Sequence, residues 1–142
     1  MNPIIDVAVA VIVERERFLV TRRKEGVHLG GLWEFPGGKR NRRETMEACL
    51  LREVEEELGV TVEIDHLLWR KSHPYSDRTV VLHAYQCRLL SGTLRPLASQ
   101  ECRWIGPESL LSLPFPEANR PLLEQLASKI GSDRHENRQK SK

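Results

Sequence analysis

The stretch from Gly38 to Val60, GKRNRRETMEACLLREVEEELGV, decides how the rest of the chain is read. From about Thr45 to Leu58 it contains neither proline nor glycine, and Gly59 then supplies the usual stop of a helix. At roughly 100° per residue, Leu51, Val54 and Leu58 fall within about 60° of one another, a face expected to meet the core. Glu53, Glu56 and Glu57 gather on a different face, within an arc of about 100°. Glu55 points about 150° away from the centre of that group, so the acids do not all serve one site.

Carboxylates at i, i+3 and i+4 repel one another, and near a helix C-terminus the dipole disfavours them further. A hard divalent cation resolves both problems, because magnesium and manganese take oxygen ligands. An ordinary solvated glutamate face has the same spacing, so the spacing alone does not choose between them.

Working outward, Val7 to Val13 is β-rich and apolar and reads as a buried strand. Glu14 to Arg17 reads as a turn and Phe18 to Thr21 as a second strand. Gly26 to Gly38 holds five glycines and Pro36, so a loop is expected there, with a short strand at Trp33 to Phe35. After the acidic helix, Thr61 to Ile64 and Leu67 to Lys71 look extended, and His73 to Asp77 reads as a turn. Thr79 to Leu90 is the longest strand candidate, and Cys102 to Ile105 is a short one. Pro107 to Leu111 suits a short helix and Pro121 to Ile130 a last one, each opened by a proline. These elements predict one α+β domain over residues 1–130, followed by a polar tail at 131–142 expected to be disordered.

The 142 residues suffice for one core, and a net charge of +2 argues against a binder of duplex nucleic acid. No apolar run is long enough to span a bilayer, and no basic segment precedes one as a signal peptide requires. Cys49, Cys87 and Cys102 form no C-x-x-C pair, which suits burial in a reducing compartment; the cytoplasm and a monomeric state are expected. Charge is placed unevenly: Lys39-Arg40-Asn41-Arg42-Arg43 is basic and Glu53 to Glu57 acidic. That pairing suits an anionic ligand held through a cation, and equally an ordinary surface.

The spacing Gly38, Glu44, Arg52-Glu53-Val54, Glu56-Glu57, Gly59-Val60 resembles the complete Nudix box, G-x5-E-x7-R-E-U-x-E-E-x-G-U with U apolar. All nine specified positions over 23 residues are filled. The resemblance implies a Nudix fold, a mixed β-sheet sandwiched between helices in α/β/α layers. It implies metal ligation by Glu53, Glu56 and Glu57, with the carbonyl of Gly37 added, and orientation of that set by Glu44 and Arg52. Magnesium is the implied cofactor, with manganese as a substitute. Arg43 stands where relatives commonly have glycine, which puts the conformation of the loop in question rather than the catalysis.

The runs Thr21-Arg22-Arg23, Leu32 to Lys39 and Pro114 to Pro121 further resemble the MutT branch, whose members remove 8-oxo-dGTP from the nucleotide pool. That likeness implies substrate contacts for Arg23, Phe35, Gly38, Lys39, Arg78 and Asn119. A carboxamide such as Asn119 offers a donor and an acceptor to a base edge, though a helix-capping role also fits. Phe35 also suits the core, Arg23 a solvated strand end, and Arg78 a surface loop. His28 reads as a loop residue. Glu101 is the nearest candidate for a general base or further ligand, with a plain surface glutamate as the alternative; Ala98 lies where an ungapped comparison seeks the acid. The expected reaction is attack of water on the β-phosphorus of a small-molecule nucleoside triphosphate, giving monophosphate and pyrophosphate. A pyrimidine nucleotide pyrophosphatase is the alternative within the class. A non-catalytic module that binds 8-oxoguanine is the alternative outside it.

Overall fold

A computed structural model describes residues 2–128. Strand β1 (Ile4–Glu14) turns through Arg15 and Glu16, both at positive φ, into β2 (Arg17–Arg22). Then come β3 (Trp33–Glu34), β4 (Gly37–Lys39) and helix α1 (Met46–Leu58). Strands β5 (Val60–Pro74), β6 (Thr79–Gly92) and β7 (Glu101–Ile105) follow, then helix α2 (Pro107–Leu110). A 3-10 turn at Glu117–Asn119 leads into a helix, α3, over residues 120–128. The expected helix end at 129–130 and the tail at 131–142 lie outside the described residues.

Among the described residues seven strands make one mixed sheet. Its spine is β1, parallel to β6 from Ile4↔Thr79 to Ile12↔Cys87 and antiparallel to β4 from Val7↔Lys39 to Val9↔Gly37. Beyond β6 lies antiparallel β5; at the other end of β1, β2 carries β3 and β7. Alternation along β1 sends Ala8, Ala10 and Ile12 to one face, where Leu50, Val54 and Leu58 of α1 cover them. Val9 and Val11 go to the other face, packed with Leu110 of α2 and Leu122, Leu123 and Leu126 of α3. The expected α/β/α layering follows from that division. None of the described helices is long and apolar enough to cross a membrane.

Thr45 caps α1 by accepting from the Ala48 N–H at 3.0 Å, and Gly59 closes it in the left-handed conformation, its N–H donating to the Glu55 carbonyl. Three expectations need correction. Leu51 is 40% exposed; the buried side of α1 is Cys49, Leu50, Val54 and Leu58, so the core-facing arc is rotated away from Leu51. The two extended segments after α1 are one strand, β5, whose register shifts at Thr61/Val62, Ile64/His66 and Leu67/Trp69 break the alternation that the sequence would otherwise display. That strand also takes in His73 and Pro74, which had read as turn. Gly37 and Gly38 are strand rather than loop. A Cβ on Gly37 would lie 2.0 Å from the Ala8 carbonyl oxygen, so β4 lies this close to β1 only because glycine stands there.

Candidate active site

A cleft of about 610 Å³ opens between β4, the end of α1, the β6 side of the sheet and the turn before α3. Val7, Val9, Val80 and Leu82 floor it from one sheet face. The glutamates belong to α1, which packs on the opposite face. They reach the cleft across β4, where Gly37 and Gly38 have no side chains to block them. A Cβ on Gly38 would stand 2.5 Å from the Glu53 carboxyl carbon. The glycine is thus the seat of that carboxylate.

Arg52 organises the acids. Its Nε and Nη2 donate to the two oxygens of Glu44 at 2.6 and 2.9 Å, a bidentate pair. Nη1 donates to Glu53 at 2.9 Å and Glu56 at 3.2 Å, and Nη2 also donates to the Lys39 carbonyl at 3.2 Å. Glu44 further accepts from the Asn41 N–H. Arg52 and that N–H together hold its carboxyl down at about 2. Arg40 fastens the basic loop: it donates to the Glu44 carbonyl and to Asp6, which itself bonds Nε2 of the buried His83 at 2.8 Å.

Glu57 differs from its neighbours. On the wheel it falls, like Glu53 but unlike Glu56, within the buried arc of α1, and burial is the main reason its carboxyl is pushed up to about 8. The Gly37 N–H, donating to Glu57 Oε2 at 3.0 Å, works against that shift, while Glu53 and Glu34 add to it. The Gly37 N–H therefore meets Glu57 directly, a contact beyond the carbonyl role expected of this glycine.

The structure brings Arg23, Phe35, Gly37, Gly38, Lys39, Glu53, Glu56, Glu57 and Asn119 together along the cleft. Arg23 is held there by Glu34 and the His28 carbonyl, and Phe35 is buried against the Phe115 ring. Two expected residues are not brought in. Glu101 pairs across the strands with Arg22 and forms ion pairs with Arg22 and Arg103, while Ala98 takes a place in the cleft wall. Arg78 is exposed, bonded to Asp77 and set over the Tyr75 ring; it is Tyr75 that lines the cleft. Glu34, His73 and Tyr75 are cleft residues that motif reading passed over. The apolar neighbours Trp33 and Phe35 were the signal for Glu34; His73 had none in the sequence, because the register shifts of β5 hide its continuation past Lys71.

Among the described residues no three acid, histidine or cysteine side chains converge tightly enough to enclose an ion alone. The donor set, carboxylates on α1 beside a glycine strand, nevertheless fits a hard cation of the magnesium type, which takes oxygen ligands and fills the rest of its shell with water and phosphate oxygens. Gly38 seats the Glu53 carboxylate with no side chain in its way, and at Glu57 a cation would displace the proton that burial and the neighbouring acids favour.

Comparison with known proteins bears on this geometry. The sequence profile of the NUDIX domain matches residues 8–125. The chain is 36% identical over 117 residues to a CTP pyrophosphohydrolase of Escherichia coli strain K12, covering 82% of this chain and 87% of that one. It is 30% identical over 123 residues to the 8-oxo-dGTP diphosphatase of the same strain, covering 86% and 95%. The crystal structure of a MutT NUDIX hydrolase from Burkholderia pseudomallei superposes with a TM-score of 0.77 at 30% identity, covering 87% and 98%. Fold and site thus define a hydrolase of the class that opens phosphoric anhydride bonds. The chain belongs to the Nudix family.

Proposed function

We propose that the chain is a magnesium-dependent nucleoside triphosphate pyrophosphohydrolase that releases a monophosphate and pyrophosphate, with 8-oxo-dGTP as its substrate. The observation that carries this reading is the passage of the α1 carboxylates over the two glycines of β4 into a cleft whose other wall holds Asn119. Glu53, Glu56 and Glu57 would hold the cation. When bound, it supplies positive charge against the phosphate chain and lowers the pKa of the attacking water. Arg52 fixes the direction of Glu53 and Glu56, and Glu44 keeps that guanidinium in place. Lys39 and Arg23 add cationic charge along the cleft. Phe35 and Asn119 supply a flat apolar surface and a carboxamide for a base.

A second reading, hydrolysis of CTP or dCTP, is favoured by the 36% relative named for CTP. The deciding measurement is kcat/KM with magnesium for 8-oxo-dGTP, dGTP, dCTP and CTP. A preference for 8-oxo-dGTP over dGTP and dCTP is expected, and its absence rejects the sanitising role. Hydrolysis in oxygen-18 water is expected to label the pyrophosphate; label in the monophosphate would place the attack at the α-phosphorus instead.

A further inference from the structure

Arg52 aims the acids, and it is held in turn by the loop that joins β4 to α1. The Glu44 carboxylate at the end of that loop accepts from Arg52 Nε and Nη2, and the Lys39 carbonyl at its start accepts from Nη2. Between them the chain is exposed and carries Arg40, Arg42 and Arg43 within four residues, like charges that repel one another. Arg42 and Arg43 make no side-chain hydrogen bond or ion pair among the described residues. Among those residues only Arg15, Glu16 and Leu29 stand at positive φ without being glycine, so the backbone at Arg43 does not require glycine.

Arg40 is the side chain that ties this loop down. Nη1 donates to the Glu44 carbonyl at 3.1 Å, across the mouth of the loop, and Nη2 donates to Asp6 Oδ2 at 3.2 Å. Its own N–H donates to the Asp6 carbonyl at 2.9 Å. Asp6 stands on β1, inside the sheet, and its other oxygen bonds Nε2 of the buried His83 on β6 at 2.8 Å. His83 first, and Arg40 with it, hold the Asp6 carboxyl below its ordinary value against the opposing effect of burial. The anchor is therefore charged at neutral pH and rooted in the sheet rather than in the loop.

We infer that Arg40, anchored on Asp6, is a positioning residue for the acid cluster: by fixing the Glu44 backbone it sets where Arg52 holds Glu53 and Glu56. This rests on the reading of those acids as the seat of a cation. A guanidinium reaches two acceptors at once with a fixed angle between its N–H groups, whereas an ammonium is one charge on a flexible stem. Arg40 thus joins β1 to the carbonyl of the residue that clasps Arg52. Without its side chain the loop keeps the mutual bonds of Asn41 and Glu44, which shape the turn without tying it to β1.

The test uses the full chain with Arg40→Met, Arg40→Lys and Asp6→Asn. In the metal-free protein, nitrogen-15 NMR is expected to show the Arg52 Nε–H exchanging with solvent at least about tenfold faster in Arg40→Met than in the wild type. Arg40→Lys, which can keep one of the two bonds, is expected to fall between them. Magnesium titrated by calorimetry without nucleotide is expected to bind Arg40→Met about tenfold more weakly. Turnover should then need correspondingly more magnesium, with KM for the nucleotide unchanged once magnesium saturates. Asp6→Asn is expected to reproduce these changes in smaller degree, and combining it with Arg40→Met to add nothing to Arg40→Met alone. A purely structural role would lower the melting temperature and leave Arg52 exchange and magnesium affinity where they are. That result overturns the assignment, as does multiplication of the two effects in the double variant. If magnesium fails to bind the wild type, the cation reading falls by itself, and Arg52 exchange in the metal-free variants decides this inference separately. If Arg40→Met fails to fold, Arg40→Lys and Asp6→Asn decide it by the same measurements.

Discussion

The two walls of the cleft are built differently. The β4–α1 wall is charged, and hydrogen bonds fix its groups: Arg52 alone reaches Glu44, Glu53, Glu56 and the Lys39 carbonyl. The opposite wall comes from separate pieces: His73 of β5, Tyr75 just beyond it, Ala98, and Pro116, Ala118 and Asn119. One wall is tied together by its own hydrogen bonds, and the other is assembled from segments far apart in the chain. The first suits a part common to every substrate, the second the part that varies.

That contrast can be broken most decisively at Glu53. Glu53→Gln keeps the size of the side chain but removes its charge, and kcat is expected to fall at least about a thousandfold with the circular dichroism spectrum unchanged. Retained turnover would remove the charged wall from the chemistry. The next effect is on folding: Gly37→Ala drives a Cβ against the Ala8 carbonyl and is expected to cost about 3 kcal/mol, lowering the melting temperature by roughly 6–10 °C.

The charged wall was the more legible in sequence, and the reason is physical. Its residues lie within one continuous segment, so helix period and motif spacing place them together. Within that segment the wheel grouped Glu53, Glu56 and Glu57, yet it put Leu51 in the core, because the buried arc is set by how α1 lies on the sheet. The other wall is joined only by long-range strand pairing. His73 enters it because β5 runs on through register shifts, which hide the alternation of a long strand. Glu101 was placed by distance along the chain, and pairing with Arg22 carries it elsewhere.

Smaller effects sharpen the comparison. Glu57 keeps its proton to about pH 8 when folded, against an ordinary value of 4.5. Between those limits the folded chain binds more protons than the unfolded one, so without a cation stability falls as pH rises through the window. A Glu57→Gln variant is expected to lose that slope. Because a ligand must shed its proton, the rise in melting temperature caused by magnesium should grow from pH 6 to pH 8 and then level off. A magnesium effect independent of pH removes Glu57 from the ligand set. Smallest of all, Thr45→Ala takes away the cap of α1 at a cost of about 1 kcal/mol, or roughly 3 °C in melting temperature. Its kcat should match the wild type, since the cap lies at the far end of the helix from Glu56 and Glu57.

The glycine strand has one further consequence. Among the described residues β4 pairs with β1 alone, so its other side is a sheet edge. Bare edges recruit strands from neighbouring molecules. Here the Gly37 N–H is already taken by Glu57, and the carboxylates of Glu53 and Glu57 crowd the approach. The acids that equip the cleft thereby also close part of the border of the sheet.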